Sequence, residues 1–376
     1  MCIIKRTFSD LSDTLAFFGE QKETDIWLRC PVSKLRVNPL KSTPVLAESL
    51  KDELGLTCTT EELVSAMAET KLYLSYDEEG IEKSDLLHKS AITGCFDRAL
   101  IKGNIFKKLS LEDTAEILNK CFKAQKKCNA LLLFREEKIL AVHSGDRCDY
   151  SILPVADLLD AIIEELETKY PGYDMKHCEY TEDFTSALFE LPDSGYKAKL
   201  NALLKKYGKE TMDSTPMLSF ITSDTGRSAA KLVAKFRTPY GEVIMGEPFM
   251  LHHKNKADIE KFREGMKRIY AIFNESTERI EKLLLQPIKN PKGCFLKVAK
   301  TFKLPKNQAF DAWEMAEFML DEENTTAYDL YFSLWEIIDL LKKENASVEK
   351  LINIEEQIAK TLFINWMQYD RPFEWE

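Results

Sequence analysis

Residues 130–166 read ALLLFREEKILAVHSGDRCDYSILPVADLLDAIIEEL, and this stretch decides the fold. It begins with an apolar strand, which a charged turn at Glu136-Glu137 joins to a second apolar strand. A polar segment at 144–150, here called the elbow, leads to Pro154. Beyond Pro154 the apolar residues recur at the spacing of one helical face: Val155, Leu158, Leu159, Ile162, Ile163 and Leu166. The stretch therefore predicts a β-hairpin followed by an amphipathic helix.

The composition indicates a packed intracellular protein without membrane segments. Of the 376 residues, 44% are hydrophobic, which is enough for a sizeable core and for more than one domain. Neither a signal peptide nor an uninterrupted apolar run of roughly 18 residues is present. The nine cysteines are scattered and lack the dense spacing of a secreted disulfide framework. We therefore expect a cytoplasmic protein with free thiols and no membrane contact.

The net charge of −10 argues against a dedicated duplex-DNA binder, because neutralisation of phosphates dominates such affinity. The charge is unevenly spread along the chain. Residues 227–306 carry 18 Lys and Arg against 8 Asp and Glu, whereas residues 307–376 carry 5 against 16. A basic middle segment therefore precedes an acidic C-terminal segment.

Helices and strands are expected on both sides of the hairpin. Residues 83–126 look all-helical, and Ser110 with Asp113 three residues later predicts the start of a helix there. A second group of strands is expected at 179–191, 217–222, 229–237 and 243–252. A long helix is expected from Ile259 to Leu284, followed by helices at 291–304, 310–320, 326–342 and 348–363.

This order of elements predicts an α+β fold, with a helical pair, central antiparallel β-hairpins with crossing helices, and an all-helical C-terminal third. We expect three regions: an N-terminal mixed segment at 1–82, an α+β core at 83–288 and a C-terminal helical region at 289–376. The sequence leaves open whether the two groups of strands form one sheet.

Two segments carry a resemblance to a known family. They are the hairpin with its elbow, LLLFREEKILAVHSGDRCDYSILPVADLL (131–159), and the strand-turn-strand SFITSDTGRSAAKLVAKFRTPYGEV (219–243). With these, the chain resembles the phage/plasmid-like family, which is encoded by phages and plasmids and built on a domain of unknown function. The segments at 278–288 and 324–341 agree with it. The resemblance implies a mobile-genetic-element setting and no established activity.

One turn has the character of a phosphate site: Ser223, Asp224, Thr225, Gly226, Arg227 and Ser228. Its glycine would allow a backbone nest, its hydroxyls could donate hydrogen bonds, and Arg227 could pair with a phosphate. An ordinary hairpin turn accounts for the same residue types. Both interpretations stay open at this point.

The basic middle segment could track the backbone of a single strand, since aromatic residues are interleaved with its cations. The candidate nucleic-acid-binding residues are Arg227, Lys254, Lys256, Arg263, Lys267, Arg268, Lys297, Lys300 and Lys303. Of these, the last three are spaced along a helix opposite its apolar positions, which is equally typical of an ordinary solvated face.

No catalytic or cofactor-binding motif stands out. The chain has no Walker loop, no dinucleotide fingerprint, no GxSxG and no HExxH, so we expect no cofactor. His252 and His253 are adjacent, and on a strand they would point to opposite faces, which argues against a metal site. Cys148 near His143 could be an activated thiol, but a cysteine packed under the elbow explains it as well.

Two functions remain. The first is a non-enzymatic phage/plasmid-type protein that binds single-stranded DNA or RNA, as a recombination or annealing accessory, and forms a homo-oligomer. The alternative is a protein-binding module, a host or counter-defence factor without nucleic-acid affinity, which the acidic ends and the aromatic C-terminal segment favour. An enzyme is the least supported reading, because no catalytic constellation can be assembled from the sequence.

Overall fold

A computed structural model shows an α+β protein with two sheets, in agreement with the predicted fold class. The structure describes residues 5–39, 48–49, 51–52, 55, 57–63, 71–103, 108–136, 138–146, 149–193, 195–239, 241–320 and 324–375. Within these ranges no helix has the length and apolar character needed to cross a membrane.

Sheet I contains the hairpin predicted from the deciding stretch. Its strands are β2 (Ile26–Pro31), β3 (Arg36–Pro39), β4 (Leu72–Glu78), β5 (Ile81–Leu87), β6 (Asn129–Arg135) and β7 (Lys138–Ser144). They lie in the order β2-β6-β7-β5-β4-β3, so the β6–β7 hairpin occupies the centre. Neighbouring strands are antiparallel except β5 and β7, which are parallel. The residues that the sheet buries, such as Leu132 and Ile139, belong to a core of its own.

Two helices cover this sheet, α2 (Lys89–Arg98) and α3 (Leu111–Ala124). The predicted cap of α3 is confirmed, because the Ser110 side chain accepts a hydrogen bond from the Asp113 backbone N–H. Helix α2 lies directly on β7. A Cβ at Gly94 would stand 2.0 Å from the Val142 carbonyl oxygen, so this close approach requires glycine.

The expectation that 83–126 is entirely helical is wrong for its first residues, since 81–87 is strand β5. Glu79 and Gly80 both have positive φ, which forms a tight hairpin turn between β4 and β5. Leu86 and Leu87 then pair with β7, a strand about fifty residues further along the chain. Long-range strand pairing has therefore overridden the local apolar pattern.

Sheet II is formed by β1 (Arg6–Phe8), β8 (Asp174–Tyr180), β9 (Thr185–Glu190), β10 (Thr215–Thr222), β11 (Ala230–Thr238), β12 (Gly241–Ile244) and β13 (Phe249–Leu251). The order is β1-β8-β9-β10-β11-β12, and β13 also pairs with β11. The single strand predicted at 179–191 is instead part of the β8–β9 hairpin, which turns at 181–184. The strand predicted at 243–252 is divided between β12 and β13.

The remaining helices enclose sheet II. They are α1 (Leu11–Thr24), α4 (Val155–Lys169), α5 (Tyr196–Lys206), α6 (Ile259–Leu284), α7 (Pro291–Thr301), α8 (Lys306–Glu317), α9 (Ala327–Ser333), α10 (Glu336–Lys343) and α11 (Val348–Thr361). The predicted helices α4 and α6 are confirmed, and the one predicted at 326–342 is divided into α9 and α10. Phe262, Met266 and Phe273 of α6 are buried in the large core of this half.

The two groups of strands thus form separate sheets, and the chain passes between the two halves more than once. Strand β1 and helix α1 belong with sheet II although they precede all of sheet I. The expected boundary after residue 82 falls inside β5, whereas the one after residue 288 falls between α6 and α7.

A buried arginine joins the two sheets. Arg135, at the end of β6, donates from Nε and Nη2 to the two carboxylate oxygens of Asp25, at 2.8 and 2.5 Å. Its Nη2 also donates to Asp224, which follows β10, at 2.8 Å, and its Nη1 lies 3.4 Å from the Tyr180 hydroxyl of β8. The arginine side chain is only 6% exposed. Asp25, which directly precedes β2 of sheet I, and Asp224 and Tyr180 from sheet II therefore meet at one cation.

A second buried cluster lies at the β8–β9 turn of sheet II. Glu182 is 6% exposed, and it pairs with His88 at 3.0 Å and with Lys138 of β7. Burial alone would raise the pKa of Glu182, but the hydrogen bonds from His88 and Lys138 outweigh it and lower the pKa to about 2. This carboxylate therefore stays charged and binds the turn to sheet I.

We predict that Arg135→Ala destabilises the fold by about 3–5 kcal/mol, because it leaves two buried carboxylates without their cation. Arg135→Lys should lower the free energy of unfolding by a smaller amount, since a lysine keeps the charge but cannot form the paired hydrogen bonds. Urea denaturation measures both free energies of unfolding.

The matched control is Arg237→Ala, which removes an exposed arginine paired with Glu190 across β9 and β11. This variant should lower the free energy of unfolding by no more than about 1 kcal/mol. Equal losses of stability in Arg135→Ala and Arg237→Ala would contradict the role assigned to Arg135.

Candidate functional site

A cleft of about 500 Å³ lies where the two sheets meet. Its walls are one face of α2, the end of β7, Asp149 and Tyr150 of the elbow, the turn residues 225–228, and the segment at 252–254 that follows β13. Glu349, in the first turn of α11, also reaches it. The predicted phosphate turn and one end of the predicted basic segment are therefore part of the same site.

The turn at 223–228 is held in place by Asp224. The Asp224 side chain pairs with Arg135, and its backbone carbonyl accepts hydrogen bonds from His143 Nε2 at 2.7 Å and from the Tyr150 hydroxyl at 3.2 Å. Gly226 has a φ of 77°, in the left-handed region that favours glycine. The turn is thus fixed to both sheet I and the elbow.

The hydroxyls of this turn are mostly engaged within the protein. Ser223 Oγ accepts from the Arg227 backbone N–H at 3.1 Å, and Ser228 Oγ donates to the Ala229 carbonyl at 2.9 Å. Thr225 Oγ1 lies 3.3 Å from a carboxylate oxygen of Asp183. What the turn offers to a ligand is consequently the Arg227 side chain more than a set of free hydroxyls.

A column of stacked rings stands beside the turn. The rings of His143 and Tyr150 lie 3.7 Å apart and nearly parallel, and His253 stacks on Tyr150 at 5.3 Å. The ring of Trp27 of β2 lies 6.0 Å from that of His143 and 5.9 Å from that of Tyr150. His253 Nδ1 donates to the Ser151 carbonyl at 3.3 Å. These contacts fix the orientation of each ring, and hence of the ring edges that face the cleft.

His143 is uncharged in this position. Burial lowers its pKa to about 4, and the charges of His253 and Arg98 act in the same direction, although the Asp224 group opposes them. Because the Asp224 carbonyl can only accept a hydrogen bond, Nε2 must carry the proton of the neutral ring. Nδ1 therefore presents a lone pair.

Three cations line the cleft: Arg98 of α2, Arg227 of the turn and Lys254. Arg98 is the least satisfied of them, because its Nε is buried and has no hydrogen-bond partner among the residues that the structure describes. Arg227 Nε lies 3.9 Å from Asp183, a long and weak pairing. An anion entering the cleft would meet a partly buried guanidinium whose hydrogen-bonding capacity is incompletely used.

Carboxylates also face the cleft. Asp97, Asp149 and Glu349 stand among its lining residues. The hydroxyl of Ser144 donates to Asp149 at 2.5 Å. The site therefore presents cations and hydrogen-bond acceptors together, which suits a ligand that has an anionic part and a hydrogen-bond-donating part.

Other predicted cations of the basic segment lie outside this site. Lys256 is exposed, and its backbone carbonyl accepts from the Lys261 side chain. Arg263 of α6 pairs with Glu164 of α4 at 2.5 Å. Lys267 and Arg268 are exposed further along α6.

The cations of α7 belong to a different part of the surface. Lys297 and Lys300 lie over the ring of Phe373, at 5.0 and 5.5 Å from its centroid. Lys303 follows the end of α7 with a positive φ of 57°. The acidic C-terminal segment thus supplies an aromatic partner to two of the predicted nucleic-acid-binding lysines.

Ser90, His88 and Glu182 have the residue types of a hydrolase triad, but their geometry fits a structural role. His88 Nδ1 lies 2.6 Å from Ser90 Oγ, and His88 Nε2 contacts Glu182. The Ser90 hydroxyl donates to the Leu140 carbonyl at 2.7 Å, and both Ser90 and His88 are buried. The serine hydroxyl is therefore occupied in joining α2 to β7.

The sequence did not single out Arg98 or Tyr150, because nothing local distinguishes an arginine near a helix end or a tyrosine in a polar segment. It considered His143 only with Cys148, which lies outside the described residues. His252 is exposed and His253 is buried, and both follow β13 instead of lying on a strand, so the strand argument does not apply to them. Across the described ranges no cluster of three or more His, Cys, Asp or Glu could hold a metal ion.

Comparison with known proteins provides no relative: no family model, no curated protein and no solved structure matches this chain. The resemblance to the phage/plasmid-like family stays a prediction.

The low pKa of His143 predicts a pH-dependent stability. Its unfolded pKa is about 6.5, so between pH 6.5 and pH 4 the unfolded chain binds more protons than the folded one. The free energy of unfolding should therefore fall as the pH drops through this range and be unaffected by His143 above it.

His143→Phe keeps a ring in the column and removes the titration. Its decline in stability from pH 7 to pH 4.5 should be shallower than that of the wild type by about 1–2 kcal/mol. Urea denaturation at a series of pH values makes the comparison, and identical slopes would show that His143 is not held neutral.

Proposed function

We propose that this protein binds single-stranded nucleic acid and that the cleft between the two sheets holds a nucleotide of the strand. The observation that carries the proposal is Arg98, whose buried Nε lacks a partner in the described structure, at a site shared with Arg227 and Lys254. Arginine is suited to phosphate because its planar group can donate two parallel hydrogen bonds.

The size and chemistry of the cleft support this ligand class. A volume of about 500 Å³ lies within the roughly 300–1,000 Å³ typical of small-molecule sites. The cations would meet the phosphate, while the ring edges and carboxylates would meet the base. A base in a duplex is paired and stacked, whereas a base in a single strand can turn into such a site.

The net charge of −10 weakens long-range attraction to any nucleic acid and most of all to a duplex, so the proposal depends on the local cations of the cleft. We place this activity in the cytoplasm, in a homo-oligomer of mobile-element origin that assists recombination or annealing. The family resemblance supports that setting.

The alternative, a protein-binding module, rests on a different surface. Phe318, just after α8, is 90% exposed, and Met319 beside it is 64% exposed. Exposed side chains of this size are typical of protein interfaces. If the protein has no affinity for nucleic acid, this surface is where a protein partner, from the host or the phage, should be sought.

Fluorescence anisotropy with a labelled single-stranded oligonucleotide tests the proposal. Binding should be tighter than to a duplex of equal length, and log K should fall with log salt by about 0.7 for each phosphate neutralised. The double variant Arg227→Glu with Lys254→Glu should weaken binding by at least roughly tenfold, because it reverses the charge of two of the three cations that line the cleft.

The matched control reverses the charges of Lys297, Lys300 and Lys303 on the α7 surface. The affinity of this variant for the single strand should fall by less than roughly threefold, because Lys297 and Lys300 lie over Phe373 and do not line the cleft. Loss of binding in this control, with the cleft variant unaffected, would move the nucleic-acid site to α7. No single-strand binding at low salt would overturn the proposal.

A further inference from the structure

We propose that the cleft selects bases that carry an exocyclic amino group, such as cytosine and adenine, over uracil and thymine, and that His143 Nδ1 is the acceptor that reads this group. The inference rests on the proposed function, since it names which bases of a single strand the same cleft prefers. It follows from the direction in which each polar atom at the site can form hydrogen bonds.

The proton of His143 is fixed by its partner. Nε2 lies 2.7 Å from the Asp224 carbonyl oxygen, which has no hydrogen to give, so the ring must donate at this end. Asp224 cannot swing away easily, since its side chain is held by Arg135 and its carbonyl also accepts from Tyr150. The Nδ1 end is left as the acceptor.

A second proton on Nδ1 is disfavoured by the surroundings. The ring is largely buried, and its pKa of about 4 keeps it neutral near pH 7. Arg98 and His253 oppose a positive charge there, and the Asp224 group only partly offsets them. Nδ1 thus remains an acceptor across the physiological range.

The Nδ1 edge of the ring is not covered by a side chain from position 226 of the turn. Both His143 and Gly226 line the cleft, and Gly226 has no side chain to cover this edge. A Cβ built at Gly226 would stand 3.6 Å from Nδ1 and 3.3 Å from Cε1 of the ring. Any side chain at position 226 would therefore press against the ring edge that carries Nδ1, and glycine keeps this edge uncovered.

The carboxylates at the site strengthen the preference. Asp97, Asp149 and Glu349 also line the cleft, and ionised carboxylates can only accept. Cytosine N4 and adenine N6 are donors, and carboxylates are known partners for the cytosine amino group. Uracil presents a carbonyl where cytosine has its amino group, and that carbonyl would face acceptors.

The cleanest comparison uses oligo-deoxycytidine and oligo-deoxyuridine of equal length, because the bases differ only in the groups at C4 and N3. Competition against a labelled mixed-sequence single strand should show roughly tenfold tighter binding of the deoxycytidine oligomer. His143→Phe should bring the two affinities together by weakening binding of the deoxycytidine oligomer more than that of the deoxyuridine oligomer. His177→Phe, the same change on β8 away from the cleft lining, should preserve the preference.

A spectroscopic readout is independent of any variant. In ¹⁵N-detected histidine spectra at pH 7, His143 should show a protonated Nε2 and an unprotonated Nδ1, and the Nδ1 signal should shift when the deoxycytidine oligomer is added. A protonated Nδ1 in the free protein would overturn the proposal.

The outcomes separate this inference from the proposed function. If no oligonucleotide binds, the proposed function fails. If both oligomers bind equally to the wild-type protein, the function stands and the base preference is wrong. If the preference persists in His143→Phe, the assignment to His143 is wrong.

Discussion

The guanidinium of Arg135 is shared by carboxylates from both sheets, and the geometry of the cleft depends on it. Asp25, directly before β2 of sheet I, orients the arginine, and Asp224 brings the turn after β10 of sheet II against it. Once Asp224 is held, its carbonyl aligns His143 and Tyr150. A buried ion pair of this kind is a weak source of net stability, because desolvation offsets the attraction. Its consequence here is positional: it sets the relative placement of two sheets that have separate cores.

The distribution of charge in space differs from its distribution along the chain. The basic middle segment does not form one continuous surface of cations: Arg263 is paired across to α4, two lysines of α7 lie on Phe373, and Lys254 stands at the cleft. The acidic C-terminal segment reaches the cleft through Glu349 of α11. Lys235 and Lys231 of β11 pair with Glu355 and Glu356 on the same helix, which holds it against sheet II. The resulting site combines both signs of charge.

Local patterns predicted local structure well. The β6–β7 hairpin, helix α4 and the Ser110 cap could all be identified, because apolar periodicity and capping depend on residues a few positions apart. Strand β5 was missed because its pairing with β7 is not local, and the cleft was missed for the same reason. Arg98, His143 and Lys254 are distant in sequence and come together through long-range contacts such as those of Arg135 and Gly94. The turn at 223–228 was recognised by its glycine and hydroxyls, but its main role, through the Asp224 carbonyl, has no sequence signature.

The central claim, that a single strand enters the cleft between the sheets, is tested most directly by ultraviolet cross-linking of an oligonucleotide to the purified protein. Mass spectrometry then identifies the peptides that carry the cross-link. Tyr150, His253 and Arg227 lie at the cleft, so we predict cross-links to peptides that contain the elbow, the turn at 223–228 and residues 252–254. Cross-links confined to the peptides of α7, or spread evenly over the surface, would contradict the account.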